Sequence, residues 1–231
     1  MNRTKPSVCF IGTSSDFSRS ALNTLCAQGV HISQIILAGH APASPPAHSL
    51  PVDSGNSKQK AHNYILQLAQ HRRLPLSFLG LPREHTQRWR HICNGPSPDF
   101  IFMACFPEKL PSLVLHWPRR YCINLHPSLL PRYRGPDPVY WQLRHGETHT
   151  GVSLHMVSKD WDAGPIVHQQ GVPFPPQASR RELDVLLAQE GALAFARCLA
   201  TDSFSATVQD ERLATYQPRP GLDGEAARKS L

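Results

Sequence analysis

Three side chains with complementary chemistry lie close together in the sequence. Asn124 and His126 belong to Cys-Ile-Asn-Leu-His-Pro-Ser-Leu-Leu-Pro-Arg-Tyr-Arg-Gly, residues 122–135, and Asp162 belongs to Asp-Trp-Asp-Ala-Gly-Pro-Ile-Val-His, residues 160–168. An amide N–H and an imidazolium could stabilise an oxyanion from two sides. A carboxylate beside the imidazole would orient it, raise its pKa and shuttle a proton. This equipment suits attack of an amine on a carbonyl. The amine is itself the nucleophile, so neither Ser nor Cys is needed for that role. Ser128 stands in Asn-x-His-x-Ser rather than Gly-x-Ser-x-Gly, which argues against a serine hydrolase. His145 and His149 have a metal-ligand spacing, but Gly146 interrupts any helix between them and no third ligand is evident, so no metal is expected.

Short apolar runs punctuated by Pro and Gly surround these residues, and such runs read as buried strands and turns. Upstream, Val8 to Ile11 ends in Gly-Thr-Ser-Ser-Asp and leads into a helix bearing Phe17, Ala21, Leu22 and Leu25, stopped at Gly29. Ser14, Ser15 or Asp16 can cap that helix. The single glycine is not a dinucleotide fingerprint. Further strands are expected at 32–37, 74–79, 99–105 and 121–125, with helices at 59–71, 83–93, 111–116 and 138–144 between and after them. This alternation argues a parallel sheet covered on both faces. Residues 150–157 and 166–172 read as a hairpin with Asp162 near its tip, and 182–199 as an amphipathic helix. The fold class is therefore α/β, with a mostly parallel central sheet and a C-terminal β-hairpin. One domain over 1–215 and a loose polar tail over 216–231 are expected. Residues 39–58 form a long Pro- and Ser-rich loop that could close over a substrate.

The 231 residues carry a net charge of +7 and a pI near 9.3, with 40% hydrophobic and 18% charged residues. The basic residues are dispersed, which favours an anionic small substrate and disfavours nucleic acid. No apolar run approaches the roughly 18 residues of a membrane helix. No signal-peptide pattern follows the N-terminus, so a cytoplasmic location is expected. None of the six cysteines forms Cys-x-x-Cys; Cys9, Cys105 and Cys122 lie in apolar runs and are expected as buried thiols. His40, His48, His85, His91, His145 and His149 have polar surroundings and are expected at the surface.

Asn124-Leu-His-Pro-Ser-Leu-Leu-Pro, Arg134-Gly135, Gly151-Val-Ser-Leu-His155 and Asp162-Ala-Gly-Pro together resemble the 10-formyltetrahydrofolate-dependent formyltransferase family. The resemblance spans roughly residues 6 to 175. It implies a Rossmann-like sheet, Asn124, His126 and Asp162 as the catalytic trio, and 10-formyltetrahydrofolate as co-substrate. It implies a pterin lying against Phe106, Pro107, Glu108 and Leu110 on one side, and against His155, Val157, Lys159 and Asp160 on the other. In motif the chain is closest to the amino-sugar-nucleotide and methionyl-tRNA formyltransferases. The shortage of Lys and Arg in residues 39–58, and the absence of a basic C-terminal domain within 231 residues, favour a small amine acceptor, an amino-sugar nucleotide first. A methionyl-tRNA formyltransferase-like enzyme and a non-catalytic folate-binding protein on the same fold are the alternatives. Association as a homodimer is left open.

Overall fold

Val8, Cys9, Phe10 and Ile11 are wholly buried, as a strand covered on both faces requires. They form the middle of β1 (Ser7–Gly12), which pairs in parallel with β2 (His31–Leu37) on one side and β4 (Phe100–Ala104) on the other. A short β3 (Leu76–Phe78) extends the sheet beyond β2, again in parallel. The structure, a computed structural model, describes residues 5–41, 57–173 and 177–221. Most of the 39–58 loop and His48 fall outside these residues. With β5 (Tyr121–His126), β6 (His149–Met156) and β7 (Ile166–Pro173), the sheet has seven strands in the order β3-β2-β1-β4-β5-β6-β7. The chain forms two compact units, 1–124 and 125–231, and β5 runs from the first into the second.

In the first unit the chain moves outward from β1 to β3, then returns to place β4 on the other side of β1. The carboxyl ends of β1 and β4 thus flank a reversal of strand order, the usual ligand position in open α/β sheets. Helix α1 (Asp16–Ala27) starts there, with the Ser15 side chain accepting the Ser18 amide as N-cap. The Ser18 hydroxyl, fully buried, donates to the Ala104 carbonyl at 2.7 Å and accepts from the Thr13 amide at 3.0 Å. A Cβ on Gly12 would fall 2.8 Å from that hydroxyl and 2.9 Å from the Ala104 carbonyl, so glycine is required for this close approach. Helix α2 (Ser57–His71) follows β2, and α3 (His85–Cys93) follows β3 after one 3-10 turn at Pro82–Glu84. Helix α4 (Ser112–Leu115) is a single turn.

Two expectations for this unit are corrected. Cys105 is exposed rather than buried: its φ of 60° turns the chain out of the sheet one residue after β4 ends. His85 is buried rather than at the surface, because its ring nitrogens bond to Glu108 and to the Gly80 carbonyl. Cys9 and Cys122 are buried thiols, as expected.

The second unit consists of the end of β5, α5 (Pro138–Arg144), the antiparallel β6–β7 hairpin and α6 (Arg180–Thr201). Ser179 and Glu182 form a reciprocal capping box that fixes the start of α6. Gly191 lets α6 approach β5: a Cβ there would lie 2.0 Å from Leu125 Cδ1. The polar segment after α6 is fastened along its length. Thr207 exchanges two 2.8 Å main-chain bonds with Ile166, and Gln217 donates to the Arg134 carbonyl at 2.8 Å. Trp141 Nε1 donates to the Pro218 carbonyl at 2.8 Å. Residues 216–218, expected to begin a loose tail, are therefore bonded through their main chain, and 222–231 lie outside the described residues. Among the described residues no helix is long and apolar enough to cross a membrane.

Candidate active site

His126 ends β5, where an apolar strand gives way to the Pro127–Gly135 loop, and the strand holds the ring buried at 4% exposure. Its Nε2 lies 2.8 Å from the Tyr133 carbonyl. A carbonyl only accepts, so Nε2 carries a proton and Nδ1 is the nitrogen left for chemistry. Nδ1 faces Asp162 Oδ1 at 3.6 Å.

His155, near the end of β6 and equally buried, is arranged in the mirror sense. Its Nδ1 lies 3.0 Å from the Met156 carbonyl, and its Nε2 faces the same Asp162 Oδ1 at 3.5 Å. The two rings meet nearly edge to face, with centroids 6.3 Å apart. Asp162 itself sits in the turn between β6 and β7 with a left-handed φ of 52°. Its Oδ2 accepts the Gly135 amide at 2.8 Å. One carboxylate oxygen is thus fixed by the main chain while the other is turned to two imidazoles. Both separations are longer than an ordinary hydrogen bond, so the two facing nitrogens meet Asp162 chiefly through electrostatics.

The charges follow from this packing. Burial raises the Asp162 pKa, but the His126 and His155 imidazoles and the Gly135 amide outweigh it and hold the carboxyl well below the ordinary range. Burial lowers the His126 pKa; Asp162 opposes that shift, His155 adds to it, and the Tyr133 carbonyl opposes it again. Like-charge repulsion makes one imidazolium easier to hold than two. The packing therefore favours an ionised Asp162 beside a His126 whose charged form is disfavoured by burial.

Asn124 is also buried, two residues before His126 in β5, and therefore leaves the same face of the strand. In the first unit Phe106 and Leu110 are buried, Pro107 is exposed and Glu108 is half-buried. Phe106 packs edge-on against Trp89, with centroids 6.3 Å apart, and Glu108 Oε2 lies 2.8 Å from His85 Nδ1. The 106–110 turn is thereby held on α3. In the second unit Val157 is half-buried and Lys159 and Asp160 are exposed on the loop leading to Asp162. The Asp160 carbonyl accepts the Ser158 hydroxyl at 3.0 Å.

The second unit thus brings His126, His155 and Asp162 together, and His155, expected only beside the pterin, is a partner of the carboxylate. Sequence reading missed the Tyr133 carbonyl and the Gly135 amide. The signal for them was the Arg-Gly pair closing a proline-rich loop, because Gly135 adopts a φ of 99°. Among the described residues no group of three or more His, Cys, Asp or Glu side chains is placed to hold a metal ion.

The formyl transferase family model matches residues 49–199, and the chain belongs to that family. It is 33% identical over 217 residues to the methionyl-tRNA formyltransferase of Syntrophus aciditrophicus, covering 93% of this chain and 65% of that protein. The chain therefore spans just under two thirds of that relative. Its fold is similar to glycinamide ribonucleotide transformylase 1 from Symbiobacterium toebii, with a TM-score of 0.65 at 16% identity over 89% of this chain and 94% of that one. A sugar N-formyltransferase from Shewanella is similar in fold at a TM-score of 0.61 and 16% identity, covering 93% of this chain and 77% of that one.

Proposed function

We propose that this protein transfers a formyl group from a 10-formyltetrahydrofolate-type donor to a primary amine. The observation that carries the reading is the arrangement of two buried imidazoles, each pinned by a main-chain carbonyl, around one oxygen of Asp162. In the reaction the amine nitrogen bonds to the formyl carbon and the carbonyl oxygen becomes anionic. The bond from carbon to the donor's N10 then breaks, the amine loses a proton and N10 gains one. The transfer involves no oxidation or reduction. The Asn124 amide donates to the oxyanion, and His126 joins it by taking up a second proton on Nδ1 as that negative charge develops beside it. Asp162 takes the proton from the amine and delivers it to N10, directly or through water. His155 balances the charge on Asp162 and keeps its oxygen oriented.

For the pterin, the family likeness supports the residues of the 106–110 turn and, taken separately, His155, Val157, Lys159 and Asp160. Glu108 is engaged by His85, so its contribution is through the main chain. Likeness to a methionyl-tRNA formyltransferase over 93% of the chain puts an aminoacyl-tRNA at least level with the amino-sugar nucleotide favoured on sequence. The dispersed basic residues support the small amine; the overall likeness supports the tRNA.

The test is donor binding followed by acceptor-dependent turnover. The 5-formyl analogue should bind by calorimetry, and tetrahydrofolate should appear from the 10-formyl donor only with the right amine. Methionyl-tRNA and a panel of amino-sugar nucleotides are the two arms. Binding with no release from any amine would sink the catalytic reading in favour of a folate-binding protein.

A further inference from the structure

We propose that Gln209 is a positioning residue: it holds the 162–164 turn and Arg134 in one register and so sets the Asp162 carboxylate against His126 and His155. Its effect on rate rests on the formyl-transfer reading, whereas the geometric claim stands without it.

Gln209 lies in the polar segment after α6, yet it is buried at 5% exposure. Its Nε2 donates to the Asp162 carbonyl at 2.8 Å and to the Gly164 carbonyl at 2.7 Å. Its Oε1 accepts from Arg134 Nε at 3.0 Å and from Arg134 Nη2 at 2.8 Å. Carbonyls only accept and a guanidinium only donates, so these partners fix which way the amide points. Glutamate at this position would keep Arg134 but turn a carboxylate oxygen toward two carbonyls. Methionine would satisfy neither side.

Both ends of this amide lead to the same carboxylate. Asp162 has a left-handed φ of 52°, which disfavours a residue with a Cβ, so its main chain needs outside support. Gln209 supplies it by binding the carbonyls on both sides of Ala163. Arg134 is followed directly by Gly135, whose amide holds Asp162 Oδ2. Arg134 follows Tyr133, whose carbonyl holds His126 Nε2. Glu211 completes the grip on Arg134, with two contacts at 2.7 and 2.8 Å. One buried amide therefore joins the turn that carries the carboxylate to the tripeptide that aims both it and His126.

The test compares Gln209→Met and Gln209→Glu with Asp162→Asn and wild type, reading His126 and His155 by imidazole NMR titration alongside thermal unfolding. Moving Asp162 away removes what raises the His126 midpoint. Both Gln209 variants should therefore lower that midpoint by about half a unit or more, in the same sense as Asp162→Asn. Turnover should fall on the order of 10- to 100-fold, with the donor KM within about threefold of wild type. Ser179→Ala, which weakens the α6 cap and touches none of these groups, should lower Tm and leave the His126 midpoint in place. If Gln209→Met does not fold, Gln209→Glu, which keeps the contact to Arg134, is read in the same way. A folded variant with an unmoved His126 midpoint would overturn the proposal. A moved midpoint in a protein with no formyl transfer would keep the positioning role and remove the formyl-transfer reading; transfer with an unmoved midpoint would do the reverse.

Discussion

The Gly135 amide lies 2.8 Å from Asp162 Oδ2 and leaves Oδ1 of the same carboxylate facing His126 and His155 at 3.6 and 3.5 Å. This single main-chain bond decides which oxygen does chemistry. Replacing Gly135 tests it from the outside. Its φ of 99° disfavours any L side chain, and a Cβ would fall 2.4 Å from the Gln217 carbonyl. Gly135→Ala should cost about 1 to 3 kcal/mol in urea unfolding, and turnover should drop with the loss of Asp162 orientation.

Asp162→Asn removes the charge that two buried imidazoles share. Asn keeps an acceptor for the Gly135 amide, so the expected loss is that of one charge-assisted hydrogen bond, about 1.5 to 3 kcal/mol. The Asp162 carboxyl titrates below its unfolded value in the folded protein. Its stabilisation is therefore fully present above the unfolded carboxylate pKa and is lost as pH falls through the lower folded value. Denaturant titrations at pH 7 and pH 3 should show the wild-type advantage over Asp162→Asn shrinking at the acid end.

His126 acts in the same direction, in a higher pH window. Burial holds its pKa below the ordinary imidazole value, so below about pH 6.5 the unfolded chain binds more protons at this residue than the folded one. Its contribution to stability falls as pH drops through that region. His126→Gln should flatten the slope of unfolding free energy between about pH 7 and pH 5, while abolishing most turnover. A slope unchanged by the substitution would contradict the burial argument.

The 106–110 turn is held by the His85–Glu108 contact at 2.8 Å and by Phe106 against Trp89. His85→Ala should loosen that turn. Hydrogen exchange at 106–110 should quicken, and the donor KM should rise several-fold with kcat little changed, because binding is affected and the proton relay is not.

Much of this arrangement was legible in the sequence because it rests on local pattern. The apolar runs of β1, β4 and β5 announced strands buried on both faces. The turn carrying Asp162 announced the hairpin, and the apolar pattern of 182–199 announced the body of α6, whose capping box at Ser179 it did not show. The spacing of Asn124 and His126 put them on one strand face. What stayed hidden depends on partners distant in sequence. His85 looked like a surface residue because its partner, Glu108, lies beyond the next strand. Cys105 looked like a core residue because the apolar run does not reveal where the backbone turns left-handed. The part played by Gln209 stayed hidden because its bonds reach Arg134 and Asp162, and no local periodicity reports a bond across such a separation. The convergence of His155 on Asp162 likewise depends on how the hairpin closes.

The most direct test is a single-turnover comparison of wild type with Asp162→Asn, using a 10-formyltetrahydrofolate donor and the acceptor identified from the amine panel. The donor should bind both proteins with similar affinity. Tetrahydrofolate release should fall by at least about 100-fold in Asp162→Asn. Equal release from the two proteins would contradict the role of Asp162 as the group that carries the proton, and with it the account of the site.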